Sequence, residues 1–404
     1  MSNVRALHLL EVGLSWPLES YLQRKLEGLA TRGMRITVAG HLDRHAPRPH
    51  LPGIKLIRLP DWDEPRIRMI LGSIRDGLAV ALKRPRKLIE LLRSVRKTRL
   101  IRAALPLLLA DADVVHFEWD STARSFLQLF ELLEVPVVVS SHGGINVRPR
   151  IGDERMASSY ALIFKKATAT HCVCEAIFRT AVAYGLDPLK AKIIRTAVDT
   201  EFFSPAARAP GPNLRIVAVG ELNFIKGYDV AIEAISYLVS QGVPASLNVI
   251  GGEPPSANYK NSERSRLMYL INESGLQDRV HLLGQLDQEQ VRDHLRRSDV
   301  LLHPSLSEGL PNAVLEAMAC ALPVVVTDCG GLSEAVRDGI DGFICPRQSP
   351  KALAEALNKL WDDPVKARAM GEAGRARVVS DFALSHQLDE FAGFYESLVR
   401  SIKR

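Results

Sequence analysis

The sequence predicts an α/β protein built as two doubly wound, Rossmann-like domains. Three observations carry that reading. Short apolar runs alternate with helical patterns from end to end, the arrangement that gives parallel strands covered by helices. At 404 residues the chain exceeds the size at which a single hydrophobic core keeps growing. A stretch rich in proline and small residues, Pro205-Ala-Ala-Arg-Ala-Pro-Gly-Pro212, interrupts the alternation before it restarts.

In the first half, strands are expected at ALHLLEV, RITVAG, IKLIRL, DVVHFEW, VPVVVSSH, ATHCVC and AKIIRTAV. The helical stretch LESYLQRKLEGLATRG ends on Gly33, as a helix stop signal does. In the second half the expected strands are NLRIVAVGEL, SLNVIGG, RVHLLGQ, DVLLHPS, LPVVVTD and GFICP. Helices are expected between them at Tyr228 to Gln241, around Arg264 to Glu273, and at Gln288 to Arg297. From Pro350 onward the pattern is almost all helical. The expected domains are therefore 1–205 and 214–385, with a linker at 206–213 and a C-terminal helix, 386–404, packing back toward the first domain.

Composition narrows the function classes. Hydrophobic residues at 47% and charged residues at 24% are ordinary for a soluble globular protein. The longest apolar runs, such as LPLLLA at 105–110, fall far short of the roughly 20 residues of a membrane span. His8 and Glu11 interrupt the N-terminal apolar stretch, so it reads as a first buried strand rather than a signal peptide. The five cysteines are odd in number and form no CxxC, and a reducing cytoplasm is the simplest setting. Cys172 and Cys174 in ATHCVC read as core packing, and no metal site is expected.

The net charge of +6 is unevenly spread. Residues 66–102 carry twelve Lys or Arg against two acids, Asp76 and Glu90, with Ile and Leu interleaved at helical spacing. That pattern suits either an anionic membrane surface or a pair of ordinary surface helices with solvated basic faces. Nucleic acid is not an expected partner, because interleaved aromatics and a binding motif are lacking. Asp61-Trp62-Asp63 has the spacing of a metal-chelating acid pair, but Pro60 and Pro65 bracket it and it reads as a loop.

The densest chemistry lies in SEGLPNAVLEAMACALP, 307–323, where Glu308 and Glu316 stand eight positions apart around a Gly-Leu-Pro-Asn corner. Glu308 follows an expected strand, and ligands of open α/β sheets bind at the carboxyl ends of strands. Pro311 has its φ preset for the first helical position. The amides of Gly309, Leu310, Asn312 and Ala313 would then form a helix N-terminus suited to phosphate. Glu316, about one turn further in, is placed to accept hydrogen bonds from a diol. Hydroxyls on both sides of a phosphate bridge describe a nucleotide sugar.

Residues 303–342, HPSLSEGLPNAVLEAMACALPVVVTDCGGLSEAVRDGIDG, resemble the signature of the family 4 glycosyltransferases, whose catalytic domains have the GT-B fold. The family's E-x7-E motif falls on Glu308 and Glu316. GELNFIKGYDVAIEAI at 220–235, RVHLLGQL at 279–286 and AVDTEFFSP at 197–205 extend the likeness, while the first half resembles the family in layout. The resemblance implies two facing domains with a deep cleft between them, the first on the acceptor side and the second on the donor side. It implies a retaining transferase of polysaccharide or glycolipid biosynthesis. Such an enzyme moves a sugar from a nucleotide-sugar co-substrate to a glycan or lipid-linked acceptor, without cofactor or metal. Location would be cytoplasmic, with peripheral contact on the inner face of the membrane.

By position, the resemblance makes Glu308, His142 and Lys226 catalytic. Glu308 would hold the sugar hydroxyls, Lys226 the diphosphate, and His142 would face the sugar across the cleft. Gly13 and Gly220 would approach the donor, Gly309, Leu310, Pro311, Asn312 and Ala313 would hold sugar and phosphate, and Glu316 the ribose. His142 also reads as a satisfied loop histidine, His116 and Trp119 either as acceptor-cleft or core residues, and His303 as structural. Three departures stand out, one of them that the first loop lacks the Gly-Gly pair common in the family. Glu221 occupies the place of the family's usual arginine, and like charge there costs affinity unless the side chain turns away. Ala321 occupies the place of a glycine. An alternative function is a non-catalytic nucleotide-binding relative or a partner subunit of another transferase.

Overall fold

The computed structural model describes residues 6–16, 18–42, 53–60, 66–207, 211–253 and 262–402; Asp61, Asp63 and part of the expected linker lie outside them. The chain divides into two compact units. The first comprises the residues up to Val173, Ile177–Ile194, and those from Leu388 onward; the second comprises Cys174–Ala176 and Arg195–Gln387.

The first unit is organised by seven parallel strands: β1 (His8–Trp16), β2 (Arg35–Leu42), β3 (Ile54–Arg58), β4 (Val114–Phe117), β5 (Val137–Ser141), β6 (Ala169–Cys172) and β7 (Ala191–Ile193). Their order is β3-β2-β1-β4-β5-β6-β7. Strands β4, β5 and β6 are buried at every position, which is why they read as continuous apolar runs rather than alternating ones. β1 continues past the expected Val12 because its register with β2 shifts between Val12 and Leu14. Gly13 sits at that bulge with φ +81°, where a Cβ would come within 2.1 Å of Thr122 Cγ2.

Helix α1 (Ser20–Thr31) buries Leu22, Leu26 and Leu29 and ends before Gly33 at φ +86°. The basic segment forms α2 (Arg66–Lys83), α3 (Pro85–Ser94) and α4 (Thr98–Leu109). From Leu388 the C-terminal helix Leu384–Ile402 belongs to this unit. Its Phe391 and Tyr395 are buried, Leu388 packs over Gly28, and Asp389 pairs with Arg32 at 2.7 Å.

The second unit repeats the plan with β8 (Leu214–Val219), β9 (Ala245–Ile250), β10 (Val280–Gly284), β11 (Val300–His303), β12 (Val324–Thr327) and β13 (Gly342–Cys345). Their order is β10-β9-β8-β11-β12-β13, again all parallel. Each sheet therefore reverses direction of growth beside its first strand, at β1/β4 and at β8/β11. Open α/β sheets take their ligands at such a switch point. Residues 195–205, expected with the first domain, group with the second unit. Val198 bridges to Ala383, Arg296 Nε donates to Ser204 O at 2.7 Å, and Arg375 Nη1 donates to Phe203 O at 2.9 Å.

Helix Asn312–Ala319 buries every residue from Val314 to Ala319. Pro311 is its N-cap, with φ −75° and ψ 130°, rather than the first helical residue. The ψ follows from the chain arriving extended from the Glu308 loop. Past the helix end, Ala321 adopts φ +57°, and a Cβ on Gly371 would lie 2.2 Å from its carbonyl oxygen. An alanine held left-handed after a helix costs about 1 kcal/mol relative to glycine. Ala321→Gly is therefore expected to raise stability by about that amount, read as a higher denaturant midpoint at unchanged slope; a lower midpoint would contradict the conformational argument.

Candidate functional site

The carboxyl ends of β8, β11 and β12 assemble one cluster in the second unit. After β8 the chain makes a short turn, Phe224–Lys226, capped by Asn223 Oδ1 on Ile225 N. Gly227 closes this turn at φ +65°, where a Cβ would meet Pro304 O at 2.2 Å. This close packing fixes the lysine loop against the end of β11. Lys226 Nζ then reaches Glu308 Oε1 at 2.7 Å. His303 Nε2 lies 3.0 Å from the same oxygen and Ser305 Oγ donates to it at 2.8 Å. Thr327 Oγ1, at the end of β12, donates to Ser305 O and holds that residue in place.

Glu308 is 11% exposed at its side chain. Burial alone would raise its pKa, yet the Lys226 charge and the His303 bond hold it well below the usual carboxylate range. Sequence reasoning took His303 as structural; the structure makes it a direct partner of Glu308. Its signal was parity, since His303 and Ser305 are two residues apart as the chain leaves a strand.

The Gly330–Gly331 pair packs on the Glu308–Gly309 backbone. A Cβ on Gly330 would lie 2.0 Å from Glu308 O, and Gly331 N donates to Gly309 O at 2.7 Å. Leu310 and Pro311 are buried beneath the loop. Helix Asn312–Ala319 begins here with no side-chain cap, so the first-turn amides, those of Asn312 and Ala313 included, have no intrahelical acceptor. Asn312 Oδ1 is buried without a hydrogen-bond partner among the described residues. Glu316 is 8% exposed on the same helix. Gly220 stands beside Lys226, a Cβ there coming within 3.3 Å of Lys226 Cε. Glu221 is exposed, with Asn223 Nδ2 3.4 Å from its carboxylate, and does not join the Glu308 cluster.

Gly13 and His142 belong to the first unit. There, within β1 and at the ends of β4 and β5, lies a second charged cluster that sequence reasoning did not assemble. Lys25 Nζ is 2.5 Å from Glu118 Oε2 and 3.1 Å from Glu11 Oε1, with all three side chains buried. His142 Nε2 is 3.3 Å from Glu118 Oε1. His116 is fully buried: Nδ1 lies 2.7 Å from Tyr395 Oη and Nε2 2.8 Å from Ser140 Oγ, which also contacts His171 Nδ1 at 2.8 Å. His116 is thus core rather than a cleft residue, while Trp119 packs on the His142 ring at 4.9 Å. Burial pushes the His171 pKa down to about 3, keeping that ring neutral. Glu11, His116 and Glu118 bring potential metal-ligand atoms within 4.8 Å of one another, but the Lys25 ammonium already contacts both carboxylates and supplies the cation they need.

The chain matches Glycosyltransferase Family 4 over residues 18–202 and Glycosyl transferases group 1 over residues 199–377. WcaL from Escherichia coli (strain K12), a glycosyltransferase named for colanic acid biosynthesis, is 30% identical over 286 residues, 68% of this chain and 67% of WcaL. The amylovoran biosynthesis glycosyltransferase AmsK of Erwinia amylovora is 29% identical over 280 residues, 68% of this chain and 67% of AmsK. Among solved structures, sucrose-phosphate synthase from Thermosynechococcus elongatus superposes with a TM-score of 0.80 at 20% identity, covering 98% of this chain and all of that one. Anabaena HepE in complex with UDP-glucose superposes with a TM-score of 0.75 at 16% identity, covering 97% of this chain and 100% of HepE. The fold is that of the GT-B glycosyltransferases. With matches running from residue 18 to 377 and relatives in polysaccharide biosynthesis, this chain is a glycosyltransferase and belongs to glycosyltransferase family 4.

Proposed function

We propose that this glycosyltransferase takes its sugar from a nucleoside diphosphate donor. It transfers that sugar with retention and without a metal, to a glycan or lipid-linked acceptor at an anionic membrane face. The observation that carries this reading is Glu308, an ionised, mostly buried carboxylate held by Lys226, His303 and Ser305 beside an uncapped helix N-terminus. An ionised carboxylate only accepts hydrogen bonds, which suits sugar hydroxyls. The Lys226 ammonium has three N–H donors and spends one on Glu308, so phosphate oxygens can take the others. First-turn amides add the anion site that a second phosphate needs, and the unpartnered Asn312 Oδ1 accepts from a ligand hydroxyl. Glu316 takes the ribose diol.

In the reaction, the bond from the sugar's anomeric carbon to the diphosphate breaks and a bond to the acceptor oxygen forms on the same face. The acceptor's proton passes to the departing phosphate oxygen. Lys226 and the helix terminus stabilise the charge that grows on the diphosphate, which is where preorganised charge contributes most. The exposure of Glu221 supports the expectation that it turns away from this anion. A uridine diphosphate sugar is the first donor to test, since HepE was solved with UDP-glucose.

The membrane part rests on α2 and α3. Ile70, Leu71, Ile74, Leu78 and Leu82 form one outward stripe at helical spacing, each more than half exposed, and Ile89 and Leu92 continue it on α3. Exposed basic residues flank them, Arg75, Lys83, Arg86 and Arg93 among them. An apolar stripe edged by cations suits an anionic bilayer surface.

Four outcomes check these readings. UDP should raise the melting temperature equally with and without EDTA. Glu308→Ala should lower turnover by roughly a hundredfold or more while the protein still folds; full activity in that variant would remove Glu308 from the chemistry. Because its folded pKa lies below the unfolded one, Glu308 adds stability above the ordinary carboxylate range and loses it as pH falls through the depressed value. The melting gap between wild type and Glu308→Gln should therefore narrow on acidification, and a constant gap would show that the charge is immaterial. Finally, the protein should float with phosphatidylglycerol-containing vesicles and not with phosphatidylcholine alone, and Leu71→Glu with Leu78→Glu should abolish flotation at unchanged melting temperature.

A further inference from the structure

We propose that Tyr228 is the positioning residue of Lys226: its hydroxyl clasps the carbonyl of Gly220, the residue along which the lysine side chain runs on its way to Glu308. The proposal rests on the reading that Lys226 meets the diphosphate of the donor.

Tyr228 is the first residue of the helix Tyr228–Ser240 and is 2% exposed, so its ring belongs to the core of the second unit. Its hydroxyl turns back along the chain and donates to Gly220 O at 2.8 Å. That bond ties the lysine loop from one end to the other, because β8 delivers the chain to Gly220 and the helix takes it up at Tyr228. Burial, and after it the charges of Glu308 and Glu221, push the Tyr228 pKa up. The hydroxyl therefore keeps its proton and remains a donor.

A lysine ammonium rides on a flexible four-carbon stem and stays in one place only where the course of that stem is fixed. Here the stem runs beside Gly220. A Cβ there would lie 3.3 Å from Lys226 Cε, 3.4 Å from its Cδ and 3.0 Å from the Tyr228 hydroxyl oxygen. Hydroxyl and lysine stem thus meet at one residue, which has no side chain to keep them apart. Gly220 N donates to Ile250 O at 2.9 Å and so fixes one side of the residue; the Tyr228 hydroxyl fixes the carbonyl. On the far side of the loop, Leu306 N donates to Ile225 O at 2.7 Å and Lys226 N to Asn223 O at 3.1 Å. These hold the backbone at the root of the lysine, while the Tyr228 bond sets the surface along which its outer carbons lie. A ring kept only for packing could be phenylalanine. A buried hydroxyl must find a partner, and this one takes the carbonyl beside the lysine. Without it the Gly220 carbonyl loses its donor and the peptide can tilt under the stem.

Titration calorimetry of the full-length chain with inorganic pyrophosphate tests this, since that probe reads the anion site whatever the base or sugar of the donor. The wild type is compared with Tyr228→Phe, Lys226→Met and the double variant. Tyr228→Phe should weaken binding roughly threefold to tenfold, and Lys226→Met roughly tenfold to a hundredfold. In the Lys226→Met background, Tyr228→Phe should add no further loss, because the hydroxyl acts through the ammonium. A residue that merely supports the fold would weaken both backgrounds alike, and that result overturns the proposal. Unchanged affinity in Tyr228→Phe beside a loss in Lys226→Met overturns only the role of Tyr228. Full affinity in Lys226→Met, or no binding by the wild type, overturns the placement of Lys226 at the diphosphate and the positioning role with it. A Tyr228→Phe chain that melts far below the wild type makes the hydroxyl a support of the core, and overturns the proposal as well.

Discussion

A carboxylate stripped of its water keeps its charge only where the protein returns hydrogen bonds to it. Glu308 receives them from Lys226 beyond β8, His303 at the end of β11, and Ser305 in its own loop, with Thr327 of β12 holding Ser305. These donors converge because β8, β11 and β12 are neighbours, run the same way and finish level. Slipping β11 by one residue would turn His303 to the other face of the sheet and empty the cluster. Glycines secure the arrangement at the loop level, Gly227 against Pro304 and Gly330 against Glu308, at separations a side chain would occupy.

The first unit solves the opposite problem, a buried cation. Lys25 is enclosed by Glu11 and Glu118, and Phe391 lies 4.9 Å from its ammonium. Removing three charges from water is costly, and such clusters contribute less to net stability than their Coulomb attraction suggests. What the cluster does supply is definition. It connects β1, α1 and β4, and through His116 and Tyr395 it fixes the register of a helix contributed by residues nearly 280 positions later in the chain (395 − 116 = 279).

The strands were legible because strands covered on both faces become uninterrupted apolar runs, as in VVHF and VVVSS, and turn residues separate them. The corner at 308–316 was legible as a strand end feeding a helix, because Pro311 and the apolar positions from Val314 onward mark the helix start; the part given to its two glutamates came from the family resemblance. Other features were hidden for physical reasons. β1 extends to Trp16 only because Gly13 absorbs a bulge, and a lone glycine in an apolar run does not announce which way the register shifts. Pro311 can serve as N-cap or first helical residue with the same φ, and the choice depends on ψ, which the preceding loop sets. His303 and His116 sit in similar apolar runs, yet one bonds the Glu308 carboxylate and the other is core. Their partners come from other segments, so no local spacing separates them. Lys25 reads as one of several polar residues on an amphipathic helix until β1 and β4 are placed against it.

The lysine loop of the second unit is pinned at both ends by glycine. At Gly220 the backbone passes so close to Gly251 that a Cβ on Gly251 would fall 1.9 Å from the Gly220 carbonyl, and at Gly227 it abuts Pro304. Between these fixed points Glu221 and Phe224 both project to solvent. Relatives can therefore diverge at these two positions at little cost to folding, since neither supports the core. Glutamate at 221, where the family resemblance leads one to expect arginine, is a change of that kind: it alters the charge of the loop surface while the frame beneath stays the same.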